Sequence, residues 1–231
     1  MLCDTFASAG YRVVAVDIHP PDMLDNATHY VELDLNGYCC DSEYRNKANA
    51  RLRDAVGNRK IAALINNAAV QIVKRTEVLT TEDWSRTLNI NVLAPFLLMQ
   101  AFLPELESSG GAVVNISSIH ATLTKPEFVT YATSKAALNG LTRSMAVDLG
   151  GRVRINAICP GAIATPMLVA SFEGRSADLH RLCEMHPVGR IGEPKDVAKL
   201  ALYLVTDTSS FLNGATLALD GGMGSRLHDP V

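Results

Sequence analysis

Aromatic residues are scarce in this chain, at 6% of 231 residues with one tryptophan, and charge is modest, at 19% with a formal net charge of −3. No run of Lys and Arg offers the electrostatic footprint of a nucleic-acid partner. No stretch approaches the roughly 18 consecutive apolar residues of a membrane span. The five cysteines, Cys3, Cys39, Cys40, Cys159 and Cys183, are an odd set with one adjacent pair and no C-x-x-C spacing. A disulfide framework or a metal site is therefore not expected, and a reducing, cytoplasmic compartment is. Asp4 and Arg12 interrupt the first apolar run, so the opening does not read as a signal peptide. Apolar residues are plentiful, at 48%, enough for a large buried core. Disordered, collagen-like and coiled-coil classes are excluded by the same composition.

Short β-branched runs alternate with longer helical patterns. That alternation predicts an α/β fold, a doubly wound Rossmann-like parallel sheet with helices on both faces. Strands are expected at residues 11–17, about 30–35, 61–66, 112–119, 153–159 and 215–220. Helices are expected at about 42–56, 81–106 with a kink at Pro95, 131–149 and 193–206. Without a linker or repeat, residues 1–231 read as a single domain.

The opening departs from this pattern. Residues 1–8 read as the end of an amphipathic helix, stopped by Ala9 and Gly10. A dinucleotide-binding fold begins instead with a strand and a Gly-rich turn, and none of the 16 glycines supplies G-x-G-x-x-G before a first helix. The expectation is a domain incomplete at its N-terminus, with the first strand missing.

Tyr131 and Lys135 stand four residues apart, on one face of a helix. A free phenol, with a pKa of about 10, is a poor base at neutral pH, and a nearby ammonium favours its ionised form. The pair could serve as general acid and base, though an exposed helix pair has the same spacing. Ser118 lies 13 residues earlier, at the end of a strand, where open α/β sheets hold ligands. Strand-end punctuation is its bland reading. Asn91 interrupts an apolar helical stretch, which by itself implies only a local break.

Taken together and in order, these positions resemble the short-chain dehydrogenase/reductase family. The resemblance rests on Asn66-Asn67-Ala68-Ala69, Asn91, the run from Gly111 to Ser117-Ser118, Tyr131 with Lys135, and Pro160-Gly161 through Thr165. It implies an NAD(P)-dependent oxidoreductase that interconverts an alcohol and a carbonyl. Tyr131 would exchange the proton, Lys135 would lower the Tyr131 pKa and bind the nicotinamide ribose, Ser118 would polarise the substrate oxygen, and Asn91 would hold a water in a relay to Lys135. The cofactor would be met by Asp17, Asp34, Leu35, Asn67, Ala68, Tyr131, Lys135, Pro160, Gly161, Ile163 and Thr165. Asp17, with no Arg or Lys close behind it, favours NAD over NADP. His120, Thr122, Phe128, Met167, Leu168 and Phe172 resemble substrate-pocket and lid positions. The family also implies a homodimer or homotetramer and a small alcohol or carbonyl substrate. A catalytically impaired fragment or a nucleotide-sensing scaffold is the alternative, because the phosphate-binding turn is not among these residues. On that expectation the chain as written binds NAD poorly and folds poorly.

Overall fold

The computed structural model describes residues 1–20, 28–165, 168, 172, 174 and 176–227. The chain opens on helix α1 (Leu2–Ser8), whose end is turned by Gly10 at φ +88°. Strand β1 (Val13–Asp17) follows and pairs in parallel with β2 (Thr28–Glu32). Four further strands, β3 (Ala63–Asn66), β4 (Ala112–Ile116), β5 (Arg154–Pro160) and β6 (Thr216–Leu219), form a parallel sheet in that order.

Helices cover both faces because the strands are apolar on both sides. Successive residues of β4 show this: Val113 belongs to one buried cluster and Val114 to the other. The first cluster takes Leu33, Tyr38 and Leu52 from helices α2 (Leu35–Cys40) and α3 (Ser42–Val56) and their approach. Met99 and Leu106 join it from α5 (Ala94–Ala101) and α6 (Leu103–Ser109), and Leu149 from α7 (Val129–Leu149). The second cluster packs Phe6 of α1 with Ala201 and Leu204 of α9 (Pro194–Val205). The helix α8 (Ser176–Met185) lies outside both clusters and outside the sequence expectation.

Several expected boundaries move, each for a local reason. The second strand ends at Glu32, because Asp34 caps α2 by accepting the Asn36 amide at 2.9 Å. The expected helix over 81–106 is three helices. The first, α4 (Thr81–Leu88), has a capping box of Thr80 and Asp83. A π-turn (Asn89–Leu93) then leads into α5, with Pro95 in its first turn. Proline has no N–H to give, and at that place the ladder is already open. The fourth strand stops at Ile116, and Ser118 begins a 3-10 turn (Ile119–Ala121) instead.

Pairing divides the expected single sheet into two pieces, β1–β2 and β3–β6. Among the described residues, β1 has no ladder partner on the side away from β2, nor β3 on the side away from β4. The division gives two inner edges and does not by itself show a missing strand. No single helix among the described residues is long and apolar enough to cross a membrane.

Candidate active site

In a sheet of parallel strands all carboxyl ends lie along one edge. Ser118 comes two residues after β4, Tyr131 lies in the first turn of α7, and Lys135 is one turn further on. Ser118 is 7% exposed, and its Oγ accepts the His120 N–H at 3.1 Å. The hydroxyl hydrogen is thereby left to donate elsewhere. Burial pushes the Tyr131 phenol above its ordinary pKa, and a hydrogen bond from Ser118 pulls it back down. The net direction is upward, opposite to the expectation from Lys135, because desolvation of the phenolate outweighs the other contributions.

Lys135 is 2% exposed, and its Nζ donates to the Ile116 carbonyl at 2.7 Å. Burial lowers its pKa to about 8, against an opposing pull from Cys159. The ammonium lies 5.7 Å from the centre of the Tyr131 ring. Ser117 fixes the same turn from below, donating to the Lys135 carbonyl at 3.1 Å.

Asn91 is fully buried in the π-turn. Its Oδ1 accepts the Val70 N–H at 2.8 Å, and its Nδ2 donates to Val70 O and Ser134 Oγ, each at 2.9 Å. The structure thus ties Asn91 to the loop after β3 and to α7, within the break between α4 and α5.

The remaining predicted residues spread along the carboxyl edge. Asp17 ends β1 exposed, its Oδ1 taking the His19 N–H at 3.2 Å. Asn67 and Ala68 are exposed after β3, and Asp34 is exposed although it caps α2, while Leu35 packs against the first cluster. Pro160 ends β5 buried. Gly161 has little room for a side chain: a Cβ there would stand 3.0 Å from Asp220 Cα. Ile163 bridges to Gly192, and exposed Thr165 donates its N–H to Ile163 O at 2.7 Å. Of the lid positions, Met167 lies outside the described residues.

A nicotinamide dinucleotide fits the residues present at two of its parts. Lys135 has three N–H donors and one acceptor among the described residues, so a ribose hydroxyl can take another. Asp17 has an exposed carboxylate at the end of β1, chemically suited to a ribose diol.

Sequence reasoning passed over a chain of buried amides. Asn66 donates to Asn115 at 2.8 Å, and Asn115 to Thr142 at 2.9 Å, joining β3, β4 and α7 beneath the site. Asparagines inside the runs IAALIN and AVVNI were the available signal, since buried amides need partners. Asn139, one turn beyond Lys135, likewise meets Cys159, its Nδ2 donating to Sγ at 3.5 Å.

A family model described as Enoyl-(Acyl carrier protein) reductase matches residues 2–224. D-threitol dehydrogenase of Mycolicibacterium smegmatis is 32% identical over 96% of this chain and 86% of its own length. The chain belongs to the short-chain dehydrogenase/reductase family. It is an oxidoreductase of that family, acting on CH–OH groups with NAD or NADP. Trans-4-hydroxycyclohexanecarboxylate dehydrogenase of Sinomonas cyclohexanicum is 37% identical, over 69% of this chain and 59% of its own length. Among solved structures, aldohexose dehydrogenase of Thermoplasma acidophilum superposes with a TM-score of 0.90 at 26% identity, over 100% of this chain and 91% of that one. Two further structural neighbours hold different cofactors. A 4-hydroxyisoleucine dehydrogenase complexed with NADH matches at TM-score 0.87 and 26% identity, covering 98% of this chain and 93% of that one. ElxO with NADP bound matches at 0.85 and 25%, covering 97% and 93%. The family and the fold are shown by these likenesses; the expected loss of a first strand is not.

Proposed function

We propose that this short-chain dehydrogenase/reductase interconverts a secondary alcohol and a carbonyl, using Tyr131 as proton donor and acceptor, Ser118 to polarise the substrate oxygen, and Lys135 to hold the cofactor. The observation that carries this reading is the state of Ser118. Its oxygen accepts the His120 amide, and its hydroxyl acts on the Tyr131 phenol, pulling the phenol pKa down against burial. A substrate oxygen placed between Ser118 and Tyr131 then receives two hydroxyl groups from fixed positions.

Reduction takes a proton from the Tyr131 phenol, and the raised pKa keeps that proton available at neutral pH. Oxidation needs the phenolate, which a protonated Lys135 nearby favours. Asn91 acts through position, holding α7 against the loop that carries Asn67 and Ala68. When bound, the nicotinamide supplies or accepts the hydride. Asp17 favours NAD, since its exposed carboxylate suits ribose hydroxyls and repels a 2′-phosphate. Asn67, Ala68, Asp34, Gly161, Ile163 and Thr165 would line the same shelf.

A homodimer or homotetramer is part of the same reading by family analogy, with α7 among the helices such proteins pack between subunits; Val147 on α7 is 84% exposed. A monomeric mass in light scattering would remove that part of the reading.

The whole proposal is tested by following reduced nicotinamide while a panel of secondary alcohols is offered with NAD and, separately, with NADP. Wild type should turn over with NAD preferred. Tyr131→Phe should lose on the order of 10²–10⁴-fold in kcat, the scale of general acid–base catalysis. Near-normal turnover by Tyr131→Phe would overturn the roles assigned above, and NADP preference would overturn that of Asp17. The scaffold alternative predicts no turnover at all.

A further inference from the structure

The segment between Ser118 and Tyr131 is built around an imidazole. The Ser118 hydroxyl starts the turn that carries His120. The His120 ring then lies on Phe128, with centres 4.6 Å apart and planes within 12°. Tyr131 meets the same imidazole edge-on, at 5.7 Å between centres. The Lys125 ammonium stands 4.5 Å from the centre of the Phe128 ring. One face of Phe128 is taken by His120, so the cation occupies the other. Phe128 is 7% exposed, and Glu127 just before it holds φ +72°, a strained backbone for a residue with a side chain. The Glu127 carbonyl is pinned by the Lys74 N–H at 3.1 Å.

That much fixing is unusual for a turn side chain, and it leaves one atom over. Nδ1 of His120 is engaged by Thr124 Oγ1 at 3.2 Å, whereas Nε2 has no hydrogen bond among the described residues. Burial, and then the charge of Lys125, both lower the His120 pKa, so the ring is neutral at pH 7. A threonine hydroxyl can donate to Nδ1 or accept from it, so Nε2 can present either a proton or a lone pair. A ligand hydroxyl, itself donor and acceptor, satisfies Nε2 in both states. A carboxylate, which only accepts, suits one of them.

We propose that His120 is a specificity-determining residue whose Nε2 hydrogen-bonds a second hydroxyl of the substrate, so that the enzyme selects vicinal diols and polyols over mono-alcohols. The inference rests on the placement of the reacting oxygen between Ser118 and Tyr131. Given that placement, the imidazole, packed against the Tyr131 ring at 5.7 Å between centres, is near enough to meet a neighbouring hydroxyl of the same substrate. Phe128 and Lys125 act by holding the imidazole and are not themselves assigned a substrate contact.

The test compares sec-butanol with the matching vicinal butanediol, using wild type, His120→Ala and His120→Gln with saturating cofactor. In wild type, kcat/KM for the diol should exceed that for the mono-alcohol by about tenfold or more, the net worth of one neutral hydrogen bond. His120→Ala should bring the ratio close to one, and His120→Gln, which keeps a donor and an acceptor, should restore part of it. A ratio unchanged in His120→Ala overturns the proposal, including the case in which both substrates slow equally, because that is the signature of a packing role. Turnover of both alcohols at similar rates by wild type overturns this inference and leaves the dehydrogenase reading standing. Turnover of neither, with NAD or NADP, overturns both.

Discussion

Lys135 sets the terms at the scale of single residues. An ammonium buried to 2% exposure, with one carbonyl at 2.7 Å, is held in a place that disfavours its charge. Its pKa falls to about 8 for that reason. The consequence for stability has a definite sign. The unfolded chain keeps its lysine protonated up to about pH 10.4, whereas the folded chain releases the proton near 8. Below pH 8 both states hold the proton, and the folded state bears the full cost of burying it. Between 8 and 10.4 the unfolded state binds more protons, so folding stability gains with rising pH. Lys135→Met keeps an unbranched chain of similar length and removes the titration. Its turnover should be abolished. In urea titrations at several pH values, wild-type stability should climb relative to the variant from about pH 8 upward, with a slope of at most about 1.4 kcal/mol per pH unit. A difference independent of pH across that window would show that Lys135 is not desolvated in the cofactor-free chain.

Among the elements, the π-turn at Asn89–Leu93 decides whether α4 and α5 reach the site. Asn91 supplies three hydrogen bonds there, to groups 21 and 43 residues away in sequence. Asn91→Ala strands the Val70 amide and carbonyl at once, while the Ser134 hydroxyl keeps its bond to the Tyr131 carbonyl at 2.7 Å. Buried groups left without partners cost about 1–3 kcal/mol each, reduced where water can enter, so a loss on the order of 2–4 kcal/mol is expected in chemical denaturation. A loss below about 0.5 kcal/mol, typical of surface changes, would contradict the anchoring role. The same residue marks how far sequence reasoning reaches. Elements set by local signals were legible: α3 begins and ends where its cap and Gly57 place it, and the strand and helix that flank Ser118, Tyr131 and Lys135 were expected, although β4 stops at Ile116 and α7 already starts at Val129. The partners of Asn91, the use of Asp34 as a helix cap, the stacking of His120 on Phe128 and the helix at Ser176–Met185 were not. These depend on which distant groups arrive alongside, and periodicity carries no information about that.

For the molecule as a whole, the decisive fact is that two sheet pieces share two cores. Val14 and Val16 of β1 pack with Leu64 of β3 against the first cluster, while Val13 packs with Ala63 and Ile65 against the second. Side chains therefore join β1 to β3 across both faces, although no ladder does. Burial records the difference: every residue of Val13–Val16 is half-buried, whereas the four residues from Ala112 to Asn115 are fully buried. β4 is bonded on both sides, to β3 and β5. Parallel strands point alternate amides to opposite sides, so about half of those in β1 and β3 lack a carbonyl partner from a neighbouring strand. Hydrogen exchange separates this arrangement from a continuous sheet. The inner-edge amides of Val13–Asp17 and Ala63–Asn66 should exchange at least about a hundredfold faster than those of Ala112–Ile116, a gap of roughly 2.7 kcal/mol in opening free energy. Their outward-bonded neighbours in the same strands should be slower than they are. Uniform protection across β1, β3 and β4 would mean that the two edges are paired in solution, and the strands would then have to be read as one sheet.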